Sequence, residues 1–255
     1  CSVDLNSLLG DNTDNDYSFL NNDADDILDT GPVKSGILNL FATAPDTLNP
    51  ILTANAFVKD YSCFVYESLV KLNEKQKPVP VLAERWESSE GGKVWTFYLK
   101  DNIYWHDNIR FSAEDVEFTA GTIVNAGANS PYAASFKNVV SFSAVDSKTF
   151  RVEMDSPNSF TPELMTFPII PKHYYLGEDI MNTEKNNRPI GTGPYKFAEY
   201  KENEFVKLQS NENWWNNTDT DEDGLTLPYI LEINIKIFGK DSSVINAFQS
   251  KEVDV

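Results

Sequence analysis

The chain is 255 residues long, 41% hydrophobic and 13% aromatic, which suffices for a sizeable core at a length where chains begin to divide into domains. Its formal net charge of -18 excludes a nucleic-acid partner, whose phosphates demand a basic face, and repels anionic lipid headgroups. No run approaches the roughly 18 apolar residues of a membrane-spanning helix.

From Cys1 to Val33 the chain carries eight carboxylates (Asp4, Asp11, Asp14, Asp16, Asp23, Asp25, Asp26, Asp29) and neither Lys nor Arg. Such a stretch predicts a solvated, mobile acidic tether over residues 1–33, the alternative being a surface loop packed on the domain. The folded part is expected to begin near Lys34. Cys1 as first residue fits the pattern of bacterial lipoproteins, cut immediately before a cysteine that then carries the lipid. A flexible leader of this length reaches roughly 30 Å, enough to hold a domain just off a membrane. The other cysteine, Cys63, could pair with Cys1, but a bridge from a mobile leader to a predicted helix would be odd, and Cys63 is expected to be a small buried thiol.

Gly36 to Asn49 predicts a strand followed by a turn at Pro45-Asp46. Val58, Tyr61, Val65 and Leu69 step by three and four, a helix period. Lys93 to Lys100 alternates, with Trp95, Phe97 and Leu99 on one face, and Asp101-Asn102 separates it from Ile103 to His106; the pair predicts a hairpin. Ser112 caps a helix in a capping-box arrangement, with Asp115 where Glu is usual. That helix places Val116, Ala120, Ile123 and Val124 on one face and ends by Gly127. Thr149 to Met154 alternates with Phe150, Val152 and Met154 inward. Phe205 to Leu208 and Tyr229 to Phe238 follow as strands, the latter burying Leu231, Ile233, Ile235 and Ile237. Asp241 or Ser242 opens a last helix with Val244, Ala247 and Phe248 inward. Strands and helices interleave without a repeat, so the chain is α/β.

Two stretches carry a resemblance. Leu82 to Thr119, LAERWESSEGGKVWTFYLKDNIYWHDNIRFSAEDVEFT, follows the wording AExW, a gap, then WTFxLRxGVxWHDGxPFTAxDVxFT. Gly191 to Phe197 reads GTGPYKF. In this order and spacing they resemble the extracellular solute-binding proteins that deliver oligopeptides, dipeptides or nickel to ABC importers. The resemblance covers nearly everything from Ile37 onward, including FQSKEVDV at the end. It implies a type II periplasmic-binding-protein-like fold. Lobe one would be residues 34–55 and 185–255, an α+β domain inserted over 56–184 would interrupt it, and the second lobe would be absent.

The function so implied is that of a substrate-binding lipoprotein of an ABC importer, capturing extended oligopeptides between two lobes. Its partners are then peptide, the ABC permease subunits and, through a lipid on Cys1, the extracellular face of the cytoplasmic membrane; no cofactor is implied. The alternative is a cell-surface peptide receptor or adhesin reusing the fold without transport. Ser130-Pro131-Tyr132-Ala133 is similar to the segment whose tyrosine touches bound peptide in the oligopeptide-binding members. A tyrosine that merely closes a loop is the competing reading. Thr53, Ala54, Asn55 and Ala56 match the stretch that lies along the peptide backbone, although a charge that one family member has at the position of Ala54 is missing here.

Other motifs resolve to bland readings. Trp86, Trp95, Trp105, Trp214 and Trp215 have the spacing of core aromatics rather than of a stacking platform. Trp105-His106-Asp107-Asn108 is expected to be a turn, with Asn108 where the family has Gly and with a structural His106. Gly191-Thr192-Gly193 lacks Walker or GxGxxG spacing and, followed by Pro194, predicts a tight turn into a strand. Asp219 to Gly224 matches the first half of a calcium loop, but the twelfth position is Ile230 rather than Glu. There is no GxSxG, HExxH or CxxC, and two histidines are poor support for nickel. The expectation is a binding protein, not an enzyme.

Overall fold

The computed structural model describes residues 34–217, 227–239, 247, 249, 250, 253 and 254. The leader, the Asp219 to Gly224 loop and most of the last expected helix lie outside the described residues. Of that helix only Ala247 is described among the expected inward positions; it is helical and buried.

Two four-stranded sheets organise the chain. In the first, β1 (Ile37–Ala42) pairs in parallel with β10 (Glu232–Ile237), which runs antiparallel to β9 (Phe205–Ser210), itself antiparallel to β8 (Tyr195–Lys201). Its strands come from opposite ends of the described sequence. Ile233, Ile235 and Ile237 point into the core from β10, with Val206 and Leu208 beside them on β9. Leu231, expected to join that face, precedes the strand and is 41% exposed. Beside β1, Asp254 donates its N–H to the Asn39 carbonyl at 2.7 Å and accepts the Asn39 N–H on Oδ2 at 2.7 Å.

The second sheet is wholly antiparallel, in the order β4 (Ala83–Ser89), β5 (Val94–Leu99), β7 (Thr149–Met154), β6 (Val139–Asp146). Phe97 and Leu99 on β5 and Phe150, Val152 and Met154 on β7 are buried, as their alternation requires. The hairpin expected between Lys93–Lys100 and Ile103–His106 does not form. β5 has both edges filled by β4 and β7, and Ile103 to His106 instead folds back on itself through a single bridge, Tyr104 to Arg110. Local alternation cannot tell which strand is a neighbour, and the more distant β4 and β7 supply full-length ladders.

Helix α1 (Ala56–Val65) buries Val58, Tyr61 and Val65; it stops there, and Leu69 is buried from the connection that follows. Cys63 corrects the expectation of a buried thiol: it lies on the exposed side of α1 and its sulfur is in a disulfide, while Cys1, the other cysteine in the sequence, is outside the described residues. Helix α2 (Ala113–Ala126) has the capping box and ends at Gly127 with φ of 53°. Val116, Ala120 and Ile123 are buried, but Val124 is 46% exposed, since the buried stripe turns toward Thr122 instead. Short strands β2 (Val70–Leu72) and β3 (Pro78–Pro80) and the one-turn helices α3 (Thr161–Leu164) and α4 (Lys172–Tyr175) complete the fold.

The Asp in the capping box serves donors on three residues, Ser112 through both its N–H and, at 3.4 Å, its hydroxyl. Asp115 accepts from Ser112 N at 2.9 Å, from Lys172 N at 2.8 Å and from the Trp105 indole at 3.3 Å. Burial pushes its carboxyl up from the usual range, opposed by those donors. Asp115 thus joins the turn before α2 to the start of α4, more than capping demands.

Candidate functional site

Thr53 to Ala56 forms the entrance to α1. Thr53 is buried and donates to Asp46 Oδ1 at 2.6 Å, while its Oγ1 accepts the Asn55 N–H at 2.9 Å. Asn55 is the N-cap: its side chain accepts the Phe57 N–H at 3.0 Å and donates to the Ala44 carbonyl at 3.3 Å. Between these anchors Ala54 and Ala56 are exposed. The result is a strip whose small, exposed side chains, Ala54 and Ala56, are held by polar groups beside them.

Tyr132 sits at the start of a 3-10 turn (Ala133–Phe136) that follows α2. Its ring is partly buried against the hydrophobic core, and that burial raises its phenol above the ordinary value. The Ser130 hydroxyl accepts the Tyr132 N–H at 3.3 Å, fixing the approach to the ring. No hydrogen bond among the described residues joins Tyr132 to the Thr53–Ala56 strip. Cys1, the expected lipid site, is outside the described residues.

The two sequence signatures are tied together by His106. Its N–H donates to the Gly191 carbonyl at 2.9 Å, its Nδ1 accepts the Gly191 N–H at 3.2 Å, and its Nε2 lies 3.0 Å from the Gly193 carbonyl. Only the neutral ring with hydrogen on Nε2 satisfies both contacts. Burial pushes this imidazole down to about 4, with the Gly193 bond opposing. His106 is therefore a structural clamp, in the turn that Asn108 closes with φ of 67°. His173 is engaged with Asp107 Oδ2 at 2.8 Å. Among the described residues no group of three or more His, Cys, Asp or Glu side chains stands close enough to hold a metal ion.

A second polar knot escapes any spacing rule. The Glu67 carboxylate accepts from the Trp215 indole at 2.6 Å, the Thr192 hydroxyl at 2.8 Å and the Trp214 indole at 3.3 Å. Enclosure by these groups pushes it up to about 7, opposed by the three donors and by Lys100, whose ammonium lies 4.6 Å above the Trp215 ring. Trp105 is a core aromatic; Trp86, Trp95 and Trp215 pack against the core from its margin. The paired tryptophans and the Gly-Thr-Gly turn were visible in the sequence, but Glu67 lies 125 residues from one partner and 148 from another.

A concavity of about 940 Å³ lies along β8 and includes Tyr174, Lys185, Arg188, Phe197 and Tyr200. It contains none of the expected ligand residues. No helix among the described residues is long and apolar enough to cross a membrane.

Comparison with known proteins supplies context for these signatures. The family model described as bacterial extracellular solute-binding proteins, family 5 Middle, matches residues 77–255. The oligopeptide-binding protein AppA of Bacillus subtilis is 23% identical over 219 residues, 82% of this chain and 38% of that protein. The nickel-binding periplasmic protein of Escherichia coli is 26% identical over 235 residues, 91% of this chain and 41% of that protein. The crystal structure of CtaP, an ABC transporter substrate-binding protein of Listeria monocytogenes, superposes with a TM-score of 0.72 at 30% identity, covering 88% of this chain and 44% of that one. The chain thus spans about two-fifths of the length of the relatives it matches.

Proposed function

The chain belongs to the bacterial extracellular solute-binding proteins of family 5, and on that footing we propose that it is part of a peptide-capturing component of an ABC importer. The observation that carries the reading is the Thr53–Ala56 strip: anchored by Asp46, Ala44 and Phe57, it presents the small, exposed Ala54 and Ala56. An extended peptide laid along such a strip is recognised mainly through main-chain hydrogen bonds, which tolerate many side chains. Tyr132 supplies an aromatic contact to the same ligand. Peptide is favoured over nickel because both nitrogens of His106 are engaged by the Gly191–Gly193 turn.

We assign lobe one to residues 34–55 and 185–255 and an inserted domain to 56–184. The two separate sheets, one drawn from both ends of the described chain and the other from 83–154, support this division. A second lobe closes over the peptide, and the transporter responds to the closed form.

In the full-length protein, Tyr132→Ala is expected to weaken peptide binding about tenfold to a hundredfold, the usual effect of losing an aromatic contact at a binding centre, about 1–3 kcal/mol. Calorimetry with a defined peptide library, alongside thermal unfolding, checks this. Unchanged affinity with lowered stability would assign Tyr132 to the core alone.

Anchoring at the extracellular face of the membrane through a diacylated Cys1 completes the proposal. One sulfur cannot hold both a thioether-linked lipid and a disulfide. Intact-mass analysis of the native protein is expected to show lipid on Cys1; a Cys1 held in the Cys63 disulfide instead would remove the anchor. An unlipidated Cys1 removes the anchor from the reading without touching the binding role.

A further inference from the structure

The Thr53–Ala56 strip has a companion segment. Thr43 to Asp46, which leaves β1, is joined to it by two side-chain bonds: Asn55 donates to the Ala44 carbonyl at 3.3 Å, and the Thr53 hydroxyl donates to Asp46 Oδ1 at 2.6 Å. Thr43, Ala44, Asp46, Ala54 and Ala56 are exposed on these two segments. Asp46 apart, these side chains are small and uncharged. From Ala42 to Val58 the sequence holds no other charged residue.

The Asp46 carboxylate is held in place. Its Oδ1 accepts both the Thr53 hydroxyl and the Thr47 N–H, the latter at 3.0 Å. Thr53 is buried and accepts the Asn55 N–H at 2.9 Å, so the carboxylate is fixed against the cap of α1. Its other oxygen, Oδ2, makes no hydrogen bond or ion pair among the described residues. While the strip is open, water can solvate that oxygen. A lobe closing over a ligand strips the water away, and a carboxylate without a counter-charge then opposes closure. A cationic group on the ligand removes that cost. A metal ion would need several such donors, and among the described residues no group of three or more His, Cys, Asp or Glu stands close enough to hold one.

We propose that Asp46 receives a cationic group of the captured peptide, either its N-terminal ammonium or a lysine or arginine side chain. The inference rests on the peptide reading of this strip and adds a charge preference to it. Main-chain bonds along the strip are indifferent to side chains, whereas the Asp46 end selects for a positive group. The charge-assisted bond formed there ties the ligand to this lobe and permits the other to close.

Asp46→Asn in the full-length protein keeps an oxygen for Thr53 and Thr47 and removes the charge. Calorimetry compares oligo-alanines of about three to six residues, the same series N-acetylated, and the acetylated series with one alanine replaced by lysine. Wild type is expected to bind one of the cation-bearing series about tenfold more tightly than the acetylated alanines. Asp46→Asn should erase that preference and bind the acetylated alanines as wild type does. A preference for free oligo-alanine identifies the ammonium, and one for the lysine series the side chain. Glu84→Gln, which removes an exposed charge on β4, should leave the preference intact, separating a local contact from the field of the whole acidic chain. No preference in wild type, a preference that survives Asp46→Asn, an equal loss in Glu84→Gln, or acetylated alanines weakened as much as the charged peptides would each overturn the proposal. Failure of wild type to bind any of the series would overturn the peptide reading itself, and this inference with it.

Discussion

Gly191→Ala should prevent this chain from folding cooperatively. A Cβ on Gly191 would lie 1.7 Å from the Val65 carbonyl oxygen, far inside any tolerated contact, and the obstacle is backbone rather than a side chain that can rotate away. Gly193 is nearly as confined, with the Phe64 carbonyl oxygen 2.6 Å from its would-be Cβ. Neither residue has positive φ, so the requirement is close approach and not the left-handed backbone. To admit a methyl the turn must retreat from the end of α1. That breaks the Gly193 N–H bond to Val65 O at 3.0 Å and pulls on both His106 contacts. Losses of this number place the cost beyond about 4 kcal/mol, in the range reserved for core disruption. Gly121→Ala is the control: it lies within α2 with nothing within 4 Å of its would-be Cβ and should stabilise by up to about 1 kcal/mol. Urea unfolding of both variants decides the matter. A Gly191→Ala protein that unfolds cooperatively near the wild-type midpoint would show that the turn is free to shift.

The second expected result is a pH dependence hidden in the wild type. Glu67, pushed up to about 7 by burial, binds its proton more tightly folded than unfolded, so its contribution is full below the ordinary 4.5 and is lost as pH rises through 7. His106, pushed down to about 4 by burial, behaves oppositely: its contribution is full above the ordinary 6.5 and is lost as pH falls through 4. Each swing amounts to at most about 3 kcal/mol, and between pH 4.5 and 6.5 the two slopes cancel. Glu67→Gln keeps an acceptor for the indoles but removes the titration. Its stability should therefore fall more steeply than that of wild type on acidification from about pH 7 to 4.5, by up to about 3 kcal/mol. Subtracting the two stability curves removes every group they share. Parallel curves would mean that Glu67 titrates near its ordinary value and that the tryptophan knot is open to water.

Local periodicity determined the strands Val94–Leu99, Thr149–Met154, Phe205–Ser210 and Glu232–Ile237 and both long helices, because a pattern of two or of 3.6 is written in adjacent residues. The Ser112 box, the Asn108 turn and the Gly-Thr-Gly turn were legible for the same reason: each states its own backbone geometry. Two long signatures in order were enough for the family. What sequence could not supply was partnership. The false hairpin after Lys100 followed from assuming that neighbours in sequence are neighbours in the sheet, whereas β5 finds β4 and β7. Val124 and Leu231 obey the local pattern yet face solvent, since the edge of a buried stripe is set by what packs on it. Cys63, on the outer side of α1, misled in the same way. Glu67 is the clearest case: a lone acid among 39 acquires its partners from a turn and a tryptophan pair more than a hundred residues away. Burial and pairing energies depend on distances in space, and only the folded chain fixes those.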